Sequence, residues 1–207
     1  MLRPRSRDWQ SGRQNAREGE SFPLIDSDLA RFKRYLHEST STVIELLEEL
    51  CGEVIIADVV RQHLISPRND NELGAGPEEE VIHRTAILRG YSSGRDFLLA
   101  DSIFVPCRLP GPVRSQLAQR VEPIGRVLVA HKLRLKREPL ADPERFDANT
   151  IYSEGDFASD VVWSRAYRLT LHGNPVFAIR EWFLEPVLEA LSRQPRSDDV
   201  GVEPRSR

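Results

Sequence analysis

The stretch that most constrains this chain is residues 176–184, Val-Phe-Ala-Ile-Arg-Glu-Trp-Phe-Leu, entered through His172-Gly173-Asn174-Pro175. β-Branched and aromatic residues after a Gly-Asn-Pro turn predict a strand. Side chains alternate between the faces of a strand. Phe177, Ile179, Glu181 and Phe183 share the more apolar face, and Val176, Ala178, Arg180, Trp182 and Leu184 share the other. A carboxylate at Glu181 therefore points into an apolar interior. Burying it bare is expensive, so it must be paired, hydrogen-bonded or protonated.

Two arginines follow the same pattern. In residues 81–89, Arg84 shares a face with Ile82, Ala86 and Leu88. In residues 161–171, Arg165 lines up with Val161, Trp163, Tyr167, Leu169 and Leu171. Two readings fit two inward arginines and one inward glutamate. One is a structural ion pair, in which Arg84 or Arg165 neutralises Glu181 inside the core; such pairs often add little net stability. The other is an enclosed site for a small anion. A guanidinium offers a planar fork that matches a carboxylate, and the glutamate would accept a hydroxyl proton at the ligand's far end. Alternation alone leaves both open.

The rest of the chain sets the frame. Residues 1–22 and 192–207 are polar and read as flexible tails around one domain, residues 23–191. Order is expected to begin near Phe22, with a helix capped at Asp26 or Ser27 and Leu29, Phe32 and Leu36 at helical spacing. Thr42 with Glu45 forms a capping box for a second helix over 43–50, which Gly52 ends. Residues 54–64 fit helix or strand equally. Strands follow at 81–89 and 97–105, joined by a hairpin-like turn. A short helix at 113–120 comes next, with Val113, Leu117 and Val121 on one stripe. A strand at 127–136 precedes the last hairpin, 161–171 with 176–184. Its basic run, 132–137, reads as a solvated face. Helices first and strands after predict an α+β fold on a single antiparallel sheet.

With 207 residues, 40% hydrophobic and 29% charged, the chain suits a globular domain. A net charge of −3 gives no case for a nucleic-acid partner. No apolar run approaches a membrane span, and no apolar core follows the basic N-terminus, so no secretory signal is read there. The expected setting is the cytoplasm. Cys51 and Cys107 read as small hydrophobes in a reducing compartment rather than as a disulfide framework. The five histidines lack metal-ligand spacing, so no metal is expected.

Four blocks carry a family likeness. They are His83-Arg84-Thr85-Ala86-Ile87-Leu88-Arg89-Gly90, Glu122-Pro123-Ile124-Gly125-Arg126-Val127-Leu128, Arg165-Ala166-Tyr167-Arg168-Leu169 with Gly173-Asn174-Pro175, and Ile179-Arg180-Glu181-Trp182-Phe183-Leu184. In this order they resemble the chorismate pyruvate-lyase (chorismate lyase) family, over about residues 29–184. The resemblance implies helices on one side of the sheet, with flap helices closing over an internal ligand cavity. It implies removal of pyruvate from chorismate to leave 4-hydroxybenzoate, by a monomer and without any cofactor. Carried over by block, Arg84 and Glu181 would be catalytic. Arg84 would hold the ring carboxylate and Glu181 would meet the ring hydroxyl. Ile124 would contact the ligand through its main chain, as would the segment near Ser41, and Arg165 would join the binding set. Ala100-Asp101-Ser102 departs from the pattern where ubiquinone-pathway members tend to have a basic residue. The alternatives are a non-catalytic small-molecule sensor of the same fold and a lyase for a modified chorismate.

Overall fold

A computed structural model describes residues 23–38, 41–66, 72–140 and 160–193. Both expected tails lie outside the described residues, apart from Ser192 and Arg193. The first helix, α1 (Pro23–Glu38), begins three residues before Asp26, so neither Asp26 nor Ser27 caps it. Helix α2 (Val43–Cys51) carries the expected capping box. The Thr42 hydroxyl accepts from the Glu45 amide, and the Glu45 carboxylate accepts from the Thr42 amide at 2.8 Å. Gly52 ends α2 in the left-handed conformation at φ 68°, which a residue without Cβ adopts at little cost.

Among the described residues, six strands form one antiparallel sheet: β1 (Ile55–Ile65), β2 (Val81–Gly90), β3 (Asp96–Phe104), β4 (Lys136–Pro139), β5 (Val161–Leu171) and β6 (Asn174–Leu184). Their order is β1-β2-β3-β6-β5-β4. The ambiguous 54–64 stretch is thus a strand at the sheet edge, with a bulge between Asp58 and Arg61. The β5–β6 hairpin turns at His172 and Gly173, both at positive φ, as a tight two-residue hairpin requires.

The strand expected at 127–136 is absent. A 3-10 turn (Pro106–Arg108) and helix α3 (Gly111–Ala118) lead to helix α4 (Ile124–Ala130). Val121 is exposed and lies beyond α3, off the expected stripe. Helix α4 is stopped by Lys132, two residues past its end, which sits at φ 52°, with Leu133 N–H bonding the Leu128 carbonyl and Lys132 N–H that of Val129. That is the Schellman stop, made here without glycine, so composition did not announce it. A short apolar run fits helix and strand alike; Val127 and Leu128, buried side by side, decide for helix by packing. The last helix, α5 (Glu185–Ser192), follows β6 directly.

Among the described residues, the five α-helices pack on one face of the sheet, in two groups. Helices α1, α2 and α5 bury Phe32, Leu47 and Val187 against Leu98 and Phe183. Helices α3 and α4 bury Val113, Leu117 and Val127 against Phe104, Phe177 and Leu169. The seam between these two apolar groups is where the site lies. Burying each large side chain contributes about 1.5–3 kcal/mol, so the two groups hold the seam's walls independently of any ligand.

Candidate active site

The sheet's floor under the seam is made of small residues. Ala86 of β2 lies opposite Ala100 of β3, which lies opposite Glu181 of β6. One row along, Arg84 faces Ser102, Ser102 faces Ile179, and Ile179 faces Tyr167. Alanine and serine leave volume that leucine would fill. The result is a cavity of about 90 Å³, measured over positions open to the centre of a water molecule, with Arg84, Glu181, Tyr167, Ser102 and Arg137 in its lining. One water needs roughly 10–15 Å³ on that scale, so the cavity has room for several water-sized groups. The roof comes from the starts of two helices, Thr42, Val43 and Ile44 at α2 and Pro123, Ile124 and Gly125 at α4. They meet closely: a Cβ on Gly125 would stand 3.3 Å from the Thr42 Cβ.

Arg84 is 2% exposed. It donates through Nη1 to Gln62 Oε1 at 3.0 Å and to the Leu117 carbonyl at 3.4 Å, and through Nη2 to the Glu122 carbonyl at 2.6 Å. A guanidinium has five N–H donors. Two remain, one on Nε and one on Nη2, and donors of this kind can meet a carboxylate's oxygens. Among the described residues no carboxylate pairs with Arg84. Burial, with the charge of Arg120 added, pushes its pKa down to about 10. The fold thus holds a strained cation against a cavity.

Glu181 is different. Its Oε2 accepts from Arg165 Nε at 2.5 Å, and its Oε1 accepts from the Tyr167 hydroxyl at 2.8 Å. Arg165 and Glu181 are direct cross-strand partners. Burial works against the Arg165 charge, but the charge of Glu181 and the hydrogen bond to it outweigh that, and its pKa is raised. Burial, reinforced by the neighbouring Glu181 carboxylate, likewise raises the Tyr167 phenol, so it stays a donor. Of the two pairings the pattern allowed, the structure contains Arg165 with Glu181 and not Arg84 with Glu181. Each Glu181 oxygen keeps a further acceptor site.

Of the sequence-expected residues, Arg84, Ile124 and Glu181 come together in the lining. Ser41 and Arg165 are not among the lining residues: the lining of the N-terminal segment begins at Thr42, and Arg165 stands behind Glu181, its guanidinium 5.5 Å from the Phe183 ring. Sequence reasoning missed Gln62, whose strand was undecided, and the lining position of Arg137, which is exposed as its basic run suggested but also borders the cavity. Tyr167 could have been found, since it sits two residues from Arg165 on the inward face. Among the described residues no cluster of three or more metal-ligating side chains occurs, and no helix is long and apolar enough to cross a membrane.

No family model matches the chain. It is 27% identical over 184 residues to a chorismate pyruvate-lyase of Mycobacterium leprae (strain TN), covering 84% of this chain and 82% of that protein. It is 27% identical over 175 residues to a chorismate pyruvate-lyase of Mycobacterium tuberculosis (strain CDC 1551 / Oshkosh), covering 79% and 86%. Two solved structures are similar at lower identity. One is the C-terminal domain of the histidine utilization repressor from Pseudomonas syringae pv. tomato, at TM-score 0.43 and 12% identity, covering 69% of this chain and 96% of that one. The other is the effector domain of PhnF from Mycobacterium smegmatis, at TM-score 0.43 and 10% identity, covering 72% and 91%. In sequence, then, the chain is similar across most of its length to distant proteins named chorismate pyruvate-lyase.

Proposed function

We propose that this chain is a chorismate pyruvate-lyase, releasing pyruvate from chorismate to leave 4-hydroxybenzoate in the cavity under α2 and α4. The observation that carries the reading is Arg84, a buried cation lining the cavity with two N–H donors unused and, among the described residues, no carboxylate partner. The distant relatives named for this activity support it.

Arg84 takes the ring carboxylate through its Nε and Nη2 donors. Glu181, held by Arg165 and Tyr167, accepts the proton of the ring hydroxyl. Ile124 opens α4 after Pro123, which supplies no side-chain cap, so the first N–H groups there lack intrahelical acceptors and face the ligand. The C3–O bond of chorismate breaks and the ring loses its C4 hydrogen. The enolpyruvyl oxygen becomes the ketone of pyruvate, its methylene gains one hydrogen, and the ring becomes aromatic. Atoms and charge balance without any external nucleophile. The protein's task is to fix one reactive geometry and exclude water, and an apolar box with two anchored polar ends does both.

The test is incubation of the purified chain with chorismate, following pyruvate and 4-hydroxybenzoate. Equimolar release of both is expected. Binding of 4-hydroxybenzoate with no pyruvate formed would contradict the proposal.

A further inference from the structure

The proposed substrate carries two carboxylates, and Arg84 answers only the one on the ring. We propose that Arg137 is the recognition residue for the second, ether-linked carboxylate, so that the site selects dianionic ring acids; this rests on the lyase reading above.

Arg137 lies on the edge strand β4, opposite Leu169, and lines the same cavity as Arg84. Its guanidinium sits 4.7 Å from the centre of the Tyr167 ring. Stacking uses the face of the guanidinium and leaves its in-plane N–H donors available. Nearby cations are spoken for: Arg165 pairs with Glu181, and Arg168 and Lys136 both pair with Glu138. Among the described residues no carboxylate pairs with Arg137.

Charge makes the case sharper. The ionisable lining residues are Arg84, Arg137, Tyr167 and Glu181. Tyr167 stays neutral and Arg165 cancels Glu181, so two positive charges remain. A ligand with one carboxylate leaves one of them unanswered; a ligand with two balances the site. The placement fits a ligand held at both ends. Arg84 is on β2 and Arg137 on β4, four steps apart in the sheet, or roughly 19 Å between backbones at the usual strand spacing. Both side chains line the space between from opposite sides. Arg84 is buried and Arg137 exposed, so the second carboxylate lies at the mouth, on the part of the substrate that leaves as pyruvate.

Two ligands separate the roles. 4-Hydroxybenzoate has the ring carboxylate alone, and 3-(carboxymethoxy)-4-hydroxybenzoate adds an ether-linked second one. Binding to the wild-type chain, Arg137→Gln and Arg137→Lys is measured by calorimetry, with KM and kcat for chorismate beside it. Arg137→Gln should weaken the dianion about tenfold, the low end for a charged hydrogen bond because the group is exposed. It should leave 4-hydroxybenzoate within about twofold, raise KM and spare kcat, and Arg137→Lys should recover part of the loss. Equal weakening of both ligands, or no weakening of the dianion, would overturn the inference. The expected split between wild type and Arg137→Gln, with no pyruvate released by wild type, would remove the reaction and leave the recognition role standing.

Discussion

Replacing Arg84 with methionine should cost almost no folding stability yet abolish ligand binding. The magnitude follows from its surroundings. Burial holds the Arg84 pKa at about 10, well below the ordinary arginine range. At roughly 1.4 kcal/mol per pH unit, keeping the charge at neutral pH costs the folded state about 3 kcal/mol. That cost is fully present below about pH 10 and fades as pH rises toward the unfolded value. Methionine removes it. Against this stand the lost hydrogen bonds. The Leu117 carbonyl keeps a donor, Gln62 Nε2 at 3.2 Å. Gln62 Oε1 and the Glu122 carbonyl lose theirs, at about 1–1.5 kcal/mol each. The two effects nearly cancel, so Arg84→Met should lie within about 1 kcal/mol of wild type in urea unfolding without ligand. Arg165→Met gives the contrast. It strands Glu181 as a buried charge, at about 3–5 kcal/mol. Saturating 4-hydroxybenzoate should raise the melting temperature of wild type by mass action and leave Arg84→Met unmoved. A loss above about 3 kcal/mol in ligand-free Arg84→Met, a range set by breaking a buried pair, would refute the reasoning. So would an undiminished ligand-induced shift.

Other outcomes follow from the same structure. Ala100→Leu fills the cavity floor between Ala86 and Glu181 and should erase 4-hydroxybenzoate binding while the melting temperature holds or rises. Gly125→Val pushes against Thr42, already 3.3 Å from the smallest possible side chain; it should part α2 from α4 and raise KM several-fold, with far-UV circular dichroism unchanged. Glu79 accepts two bonds from Arg108, which also ties down the Leu73 and Pro175 carbonyls. Hydrogen bonding to Arg108 lowers the Glu79 pKa to about 2, so its stabilisation is complete above about pH 4.5 and fades as pH falls toward 2. Glu79→Gln should therefore cost about 1.5–3 kcal/mol at pH 7, the range for charged hydrogen bonds, and the gap to wild type should close on acidification in urea titrations. Turnover should survive EDTA, since nothing in the proposed chemistry calls for a metal; activity lost to chelator and restored by a divalent ion would contradict that.

Much of the sheet was legible because alternation is a local signal. The faces assigned to Arg84 and to Glu181 from residue parity alone are the faces the sheet adopts. The capping box at Thr42 and the stop at Gly52 were also readable, each resting on a residue type with few other uses. The misread stretch, 127–136, is one whose signals are local but equivocal. Val-Leu-Val serves helix or strand, and a lysine rather than a glycine takes the left-handed position. The partner of Glu181 was not legible either. Parity placed both arginines inward, but which one reaches the carboxylate depends on strand order, and order depends on long-range pairing. β6 lies between β3 and β5, so Arg165 is its neighbour while β3 separates it from Arg84. The basic run was read as solvent-facing, and Arg137 is exposed; that it also lines the cavity depends on the edge strand's pairing with β5.

The central claim is that Arg84 is kept charged and unpaired for a substrate carboxylate. The most direct measurement is pyruvate release from chorismate by wild type and Arg84→Met side by side, at matched folded concentration. The account predicts steady release by wild type and none above the uncatalysed rate by the variant. Comparable release by both, or by neither, would contradict it.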